Sequence, residues 1–404
     1  MSNVSYVPPK SILIKYADLL VNFGLNRYKG IKRGEVVMIN TPIIAMPLAR
    51  EVFSKVLESG GHPFIKILDE EISKRFLKIS SKSQLSFFPE AYFKGIADTI
   101  NHSIIIIADE DPLYLKGVDP SNLFLYNKAI KPYNDWLDKK EDMGDYTWTL
   151  GIYGTEGMAK EAGLTLKEYW AQIIKACYLK SPDHIGKWKD LVKEQSRIIH
   201  KLNRMPINKI HMVSDSGIDL WLTLGEKRRW DSGSGFNIPS FEIFTSPDCR
   251  GTEGKIHFDL PLYYQGSVIK DIHLTFKKGK VTSSRASKGG NILKELLNQK
   301  GANMVGEFSL TDKRFSNIDR FMADTLFDEN FGGKFGNTHI ALGASYHDTY
   351  DGDKSSMNKI DYKKLGFNDS AIHMDIVSTE DRKVHVILKD GTERTIYSNG
   401  SFTI

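Results

Sequence analysis

In the run Ile372-His373-Met374-Asp375-Ile376-Val377, the two-residue period of a β-strand puts His373 and Asp375 on one face and the three apolar residues Ile372, Met374 and Ile376 on the other. An imidazole and a carboxylate presented side by side by a rigid strand are two ligands of a cation site. Taken alone, H-x-D is more simply the solvated polar face of an edge strand. Further segments of the same half of the chain make a similar offer. Gly306-Glu307-Phe308-Ser309-Leu310 inserts one carboxylate into an apolar, strand-like context, and Arg250-Gly251-Thr252-Glu253-Gly254 holds another between glycines that let backbone approach closely. Thr325–Gly333 places Asp328 and Glu329 after an apolar pair and before a glycine pair, as in a functional loop. Asn337–Tyr346 is an apolar run carrying His339 and then Tyr346. Each has a plain structural reading: Asp328 as a turn cap, His339 as a satisfied core histidine, Tyr346 as a packing residue.

Buried carboxylates need partners, because an unpaired one costs several kcal/mol or takes up a proton, whereas a divalent cation compensates two or more at once. Several such segments between Glu253 and Asp375 favour one shared explanation. The set would be Glu253, Glu307, Glu329, His339, His373 and Asp375. Carboxylate and imidazole without thiolate suit Zn²⁺, Co²⁺ or Mn²⁺; the set is generous for one ion and about right for two. Paired ions that activate water and polarise a carbonyl are the apparatus of peptide and amide hydrolysis.

The elements that must position these residues change character along the chain. From Ser11 to about Asp109 helix and strand alternate: a helix over Ile12–Phe23 that stops at Gly24, a strand over Glu35–Asn40, a helix over Pro47–Glu58 ended by Gly60-Gly61, a strand over Pro63–Leu68, a helix near Pro89–Thr99 and a strand over His102–Ala108. That alternation predicts a parallel sheet covered by helices. No G-x-G-x-x-G or G-x-x-x-x-G-K follows any of these strands, so Gly60-Gly61 reads as a helix stop and no nucleotide cofactor is expected. Leu113–Arg204 reads as a helical bridge, with Leu166–Leu179 and Trp188–Leu202 amphipathic and Trp136, Trp148, Trp170 and Trp188 as packing anchors. After Ile207 the pattern turns to short alternating segments, Lys209–Val213, Asp219–Leu224, Gly254–Leu262, Ser267–Phe276 and Arg394–Ser398, with turns at Lys278-Gly279 and Asp390-Gly391 and one helix near Asn291–Gln299. The expectation is an α/β N-terminal domain over 1–204, a parallel sheet with helices, followed by an α+β C-terminal catalytic domain over 205–404 with mostly antiparallel strands.

Several stretches carry a resemblance to the metallo-aminopeptidases of the aminopeptidase T and aminopeptidase S type. They are Asn237–Pro247 (NIPSFEIFTSP), Gly251–Gly254, Gly306-Glu307, Thr325–Asn330, Thr338–Gly343 and His373–Asp375, in the family's order, with weaker similarity through Val21–Gly30 and Pro47–Gly61. The resemblance implies a metal-dependent aminopeptidase with two divalent metal ions, Zn²⁺, Co²⁺ or Mg²⁺, held by Glu253, Glu307, Glu329, His339, His373 and Asp375. It also implies that Glu307 bridges the ions and that Tyr346 and Glu253 are catalytic. Family members form dimers whose N-terminal domains restrict entry to the site, which implies a homodimer here and peptide substrates with a free N-terminus. Another metal-dependent amidase or carboxypeptidase remains the near alternative, and a small-molecule-binding protein with a structural ion the more distant one.

Composition bounds the rest. The chain has 404 residues, 41% hydrophobic and 26% charged, with 55 Lys and Arg against 50 Asp and Glu, a net charge of +5. That is a globular profile with no basic concentration of the kind a nucleic-acid binder needs, and no apolar run long enough to span a membrane. Two cysteines, Cys177 and Cys249, exclude a disulfide framework and make the cytoplasm the expected location.

Overall fold

The computed structural model describes residues 6–264 and 266–404. The chain divides into two compact units, Met1–Lys189 with Ser234–Ser240, and Asp190–Gly233 with Phe241–Ile404. The division falls inside the helix His184–Arg204, and the segment Ser234–Ser240 belongs with the first unit.

The first unit is built on a parallel sheet with strand order His62–Leu68, Val36–Pro42, His102–Ile107, Thr147–Ile152 and Asn237–Ile238. The strand Val36–Pro42 alternates buried and half-buried residues, while His102–Ile107 is buried nearly throughout, as a central parallel strand must be. Helices Lys10–Asn22 and Met46–Glu58 pack on each other, burying Tyr16, Leu19, Leu20, Leu48, Val52 and Val56. The fourth strand, Thr147–Ile152, lies within the stretch read from sequence as a helical bridge. Its residues, Thr-Trp-Thr-Leu-Gly-Ile, include β-branched and aromatic side chains, but helices Pro120–Asp142, Glu156–Glu161 and Leu166–Ala176 flank it and their periodicity dominates the region. Of the four tryptophans expected as anchors, Trp170 and Trp188 are fully buried; Trp136 and Trp148 are half-buried.

The second unit stacks two antiparallel sheets. One has eight strands and contains Lys383–Leu388, Ile207–Val213, Asp219–Thr223, Glu253–Phe258, Ile272–Lys277 and Lys280–Arg285. The other has five strands in the order His373–Ser378, Asn337–Gly343, Val305–Thr311, Glu242–Thr245 and Asp231–Ser232. Ile210, Leu220, Ile256, Leu274 and Val386 of the first sheet share one core with Ile243, Phe308, Leu310, Ile340, Leu342, Met374 and Ile376 of the second. At roughly 25 cal/mol per Å² of apolar surface, this shared layer is the main source of stability of the unit. The expected strand Ser267–Phe276 is two, Ser267–Ile269 and Ile272–Lys277, separated at Asp271, whose φ is 54°. Among the described residues no helix is long and apolar enough to cross a membrane.

Candidate metal centre

Because the apolar residues of the five-stranded sheet face the shared core, its other face is set by register. Pairing places His339 opposite Ser309, Asp375 opposite Ala341, His373 opposite Gly343, Glu307 opposite Ala341 and Glu242 opposite Thr311. Directly paired residues of an antiparallel sheet share a face, so Glu242, Glu307, Ser309, His339, His373 and Asp375 all project from one side. Val305–Thr311 and Asn337–Gly343 are buried at every residue, so this second face is covered as well.

Two glycines make the arrangement possible. At Gly306 the register between the Glu307 and His339 strands shifts by a bulge, and a Cβ there would lie 2.2 Å from the Ala344 carbonyl oxygen. Gly343, at φ +116°, would put a Cβ 1.9 Å from the carbonyl oxygen of Ile372, immediately before His373. Only glycine lets these backbones approach so closely.

The side chains then converge. His339 Nε2 lies 3.1 Å from Glu242 Oε2 and 3.2 Å from Glu307 Oε1, with Asp375 Oδ1 at 3.9 Å. His373 Nε2 lies 3.4 Å from Glu307 Oε2 and 3.3 Å from Asp375 Oδ1. Glu307 therefore faces one imidazole with each of its oxygens. Ser309 Oγ donates to Glu242 Oε2 at 3.0 Å. Glu329 comes from the short helical turn Thr325–Asp328 that Asp324 caps. Its carbonyl accepts from Thr311 Oγ1 and its carboxylate from Asn330 Nδ2, while Asn330 Oδ1 accepts the Phe241 N–H at 2.6 Å. Asn330 thus ties the Glu329 turn to the residue preceding Glu242. Three overlapping sets have ligand atoms close enough for one ion each: Glu242, Glu307 and His339; Glu307, His373 and Asp375; and Glu329, His339 and Asp375.

The imidazole tautomers are informative. His339 Nδ1 faces the Glu329 carbonyl at 3.3 Å and His373 Nδ1 the Ala344 carbonyl at 2.9 Å. A carbonyl only accepts, so each Nδ1 carries the hydrogen and each Nε2, on a neutral ring, is a bare lone pair aimed at carboxylates. Lone pairs cannot face carboxylates in a buried site without a cation between them; either a proton or a metal must supply it. Burial works against a protonated His339, yet its hydrogen bonds to the Glu242 and Glu307 carboxylates outweigh it and hold its pKa well above the ordinary histidine value. Burial likewise opposes charge on His373, and Asp375 followed by Glu307 raises it. Burial alone would raise Asp375, but the charge on His373 holds its carboxyl below the usual range. Glu329 and Glu242 are both pushed up by burial, the first with the help of Asp375, the second against the pull of His339. Asp375 Oδ1 is buried and makes no hydrogen bond although His373 Nε2 is 3.3 Å away. Carboxylates and imidazoles without a thiolate are the donors that divalent ions of the Zn²⁺, Co²⁺ or Mn²⁺ class take, so the set fits a divalent metal in kind.

Tyr346 stands at the rim. Its N–H donates to Ser246 Oγ at 3.0 Å, and its ring lies 4.6 Å from that of His373 and edge-on to Phe244. It keeps 38% of its surface exposed. Local burial, then Glu307 and Asp375, raise its pKa well above 10.0, so it stays a neutral donor. Beside Asp375 a shallow recess of about 10 Å³, room for a single water, is lined by Leu260, Leu262, Tyr263, Asp324, Thr325 and Val377.

Of the residues expected from sequence, Glu307, Glu329, His339, His373 and Asp375 come together and Tyr346 adjoins them. Glu253 does not. Its side chain is exposed, and Oε1 accepts the Lys278 N–H at 2.7 Å in a turn of the eight-stranded sheet. The glycines beside it serve that sheet: a Cβ on Gly254 would lie 2.0 Å from the Asp219 carbonyl oxygen, and one on Gly251 would meet the Thr223 side chain. Glu242 stands with the cluster, its Oε2 3.1 Å from His339 Nε2. Its signal was available, a carboxylate inside the apolar segment Phe241–Phe244, the same pattern that marks Glu307.

Compared with known proteins, residues 10–402 match the family described as thermophilic metalloprotease (M29). The chain is 26% identical to aminopeptidase AmpS of Bacillus subtilis, over 96% of this chain and 97% of that protein. It is also 26% identical to aminopeptidase T of Thermus thermophilus, over 98% and 99% respectively. The solved structure of wild-type AmpT from Thermus thermophilus aligns with a TM-score of 0.82 at 25% identity, covering 98% of this chain and 100% of that one.

Proposed function

The chain belongs to the thermophilic metalloprotease (M29) family and is a peptide hydrolase; from that premise we propose that it is an aminopeptidase removing the N-terminal residue of peptides at a centre of two divalent cations. The observation that carries the two-ion reading is the pair of imidazoles whose Nδ1 atoms are committed to carbonyls and whose Nε2 atoms face shared carboxylates. Glu242, Glu307 and His339 would hold one cation and Glu307, His373 and Asp375 the other, with Glu307 common to both groups and Glu329 beside His339 and Asp375. Bound Zn²⁺, Co²⁺ or Mg²⁺ would supply Lewis acidity, polarising the scissile carbonyl and bringing a water's pKa toward neutrality.

The protein's own groups do the rest. The Tyr346 hydroxyl, kept protonated by its setting, donates to the oxygen that gains charge as the carbonyl is attacked. A carboxylate of the set passes a proton to the leaving amine. Ser309 and the Glu329 and Ala344 carbonyls hold Glu242, His339 and His373 in their productive rotamers and tautomers. Acids at the cluster edge would bind the substrate's free α-amino group, which is how such a site counts from the chain end.

Aminoacyl-p-nitroanilides assayed beside their N-acetylated forms test the proposal. Cleavage of the free form alone, lost on chelation and restored by added metal, is expected; equal cleavage of blocked substrates would sink the exopeptidase reading. The proposal includes a homodimer in the cytoplasm. The free, buried Cys177 and Cys249 support a reducing compartment, cell fractionation reads the location, and size-exclusion chromatography reads the dimer.

A further inference from the structure

A second group of metal-ligating side chains lies on the eight-stranded sheet, on different strands from the proposed centre. His257 and His273 are directly paired across the antiparallel strands Glu253–Phe258 and Ile272–Lys277. Their rings stack at 4.2 Å with an interplanar angle of 15°. Both Nε2 atoms point at one oxygen: Asp271 Oδ1 lies 2.8 Å from His257 Nε2 and 3.3 Å from His273 Nε2. Asp271 reaches this position because its backbone turns left-handed at φ 54°, a conformation Asp tolerates better than most residues. On the far side of the His257 ring, Nδ1 is 2.8 Å from Glu380 Oε1, whose other oxygen accepts from Ser216 Oγ at 2.6 Å.

His257 thus has a carboxylate at each ring nitrogen. A neutral imidazole carries one hydrogen and can satisfy only one of them. If Nδ1–H serves Glu380, Nε2 is a lone pair facing Asp271, together with a second imidazole nitrogen. A carboxylate behind a histidine whose other nitrogen faces further donors is the arrangement that orients metal-bound histidines.

We propose that His257, Asp271 and His273 form a separate site for a divalent transition-metal ion of the Zn²⁺ class, with Glu380 as the residue that fixes the His257 tautomer. Three donors of two imidazoles and one carboxylate, with a fourth position for water, is an open tetrahedral set. Zinc–ligand distances of about 2.0–2.1 Å put tetrahedral donor atoms about 3.3 Å apart. The Asp271–His273 spacing already has that value, and the Asp271–His257 pair must open by about half an ångström. The side chains are 22%, 42% and 43% exposed for His257, Asp271 and His273, so the ion would exchange with solvent. Bound, it would tie the turn at Asp271 to the neighbouring strand and, through Glu380, to the segment following His373–Ser378.

Zinc itself is the probe. The full-length chain, stripped and then dialysed against a slight excess of Zn²⁺, is analysed for metal per chain alongside Asp271→Asn, which keeps the left-handed backbone accessible, and His273→Gln, an exposed change that leaves the core alone. Wild type is expected to hold one more zinc than either variant, while His373→Ala still holds this one, so the result stands whatever the other centre contains. Unchanged kcat in His273→Gln accompanies the loss. Equal zinc content in wild type, Asp271→Asn and His273→Gln would overturn the proposal and leave His257 as an imidazolium between two carboxylates.

Discussion

Replacing Glu242 by Gln separates a ligand role from a structural one more sharply than any other change in the site. Glu242 Oε2 lies 3.1 Å from His339 Nε2 and accepts from Ser309 Oγ. The amide oxygen of Gln can still accept from Ser309, and His339 keeps Glu307 at 3.2 Å. Burial already pushes the Glu242 carboxyl toward its neutral form against the pull of His339, so the metal-free fold should lose no more than about 1 kcal/mol, the net worth of one hydrogen bond. Metal binding is another matter. Loss of a residue that merely orients a ligand weakens metal affinity by about 10- to 100-fold; loss of a ligand charge should reach at least the upper figure, about 2.8 kcal/mol at 1.4 kcal/mol per tenfold. Glu242→Gln should therefore unfold near the wild-type temperature when metal-free, yet fail to retain a full metal complement through gel filtration and lose most activity on aminoacyl-p-nitroanilides. Glu253→Gln is the control, because it removes only an exposed acceptor of the Lys278 N–H and should change stability by less than about 0.5 kcal/mol. Elemental analysis, kcat/KM and thermal unfolding of both variants decide the matter. Full metal and activity in Glu242→Gln, or their loss in Glu253→Gln, would refute the assignment.

Tyr346→Phe should lower kcat by about 100-fold or more, the cost of one oxyanion donor, with metal content unchanged; a variant with full kcat would leave the tyrosine a packing residue. Gly343→Ala should destabilise the second unit by about 3 kcal/mol or more, because φ +116° is strained for alanine and its Cβ would sit 1.9 Å from the Ile372 carbonyl oxygen; a denaturant titration reads this. Burial opposes charge on Asp248, but two hydrogen bonds from the Arg250 guanidinium, at 2.8 and 2.6 Å, outweigh it and hold the pKa below 3.8. A depressed pKa gives stability that is present above 3.8 and lost as pH falls through the folded-state value, so the stability gap between wild type and Asp248→Asn, about 1 kcal/mol at neutral pH, should close in acid. Since the metal-free centre holds raised-pKa protons on His339 and His373, loading it with metal near neutral pH should release protons. Calorimetry in buffers of different ionisation enthalpy measures this, and a buffer-independent heat would mean that the metal-free imidazoles are already neutral.

Much of this site was legible because β-strands obey a period of two. His373 and Asp375 share a face opposite Met374 and Ile376, as their spacing requires, and the isolated carboxylate in Gly306–Leu310 marks Glu307 by the same logic. Glu242 carries the same signal, a carboxylate in an apolar strand, whereas the glycines flanking Glu253 mark a contact within another sheet. Glycine reports close backbone approach without saying what approaches: beside Glu307 it is the strand edge of the site, beside Glu253 it is the Asp219 carbonyl of another sheet. The strand Thr147–Ile152 was hidden for a different reason. Its identity is fixed by partners 45 residues earlier, Ile104 to Ile107 pairing with Thr149 to Ile152, and so short a segment between helices carries too little periodicity of its own. The His257–Asp271–His273 group could not be read at all, since its two histidines meet only through the register of a hairpin whose turn geometry depends on a left-handed aspartate.

The five-stranded sheet explains why recognition chemistry and stability cannot be tuned separately here. Residues of one strand alternate between two buried environments. Phe308 and Leu310 enter the apolar core, while Glu307 and Ser309, one position away on either side, enter the polar cluster. A slip of one residue would bury a carboxylate among leucines and expose the cluster to phenylalanine, so the register is enforced from both faces. The bulge at Gly306 relaxes that register, and it falls where Glu307 faces two imidazoles at once. Four carboxylates held this close repel one another unless cations intervene, and the apolar face supplies the stability that lets the metal-free chain keep them assembled. Metal affinity in this protein is accordingly a property of the core as much as of the ligands. A cavity made at Phe308, on the face away from the cluster, would loosen Glu307 and weaken metal binding without touching a single donor atom.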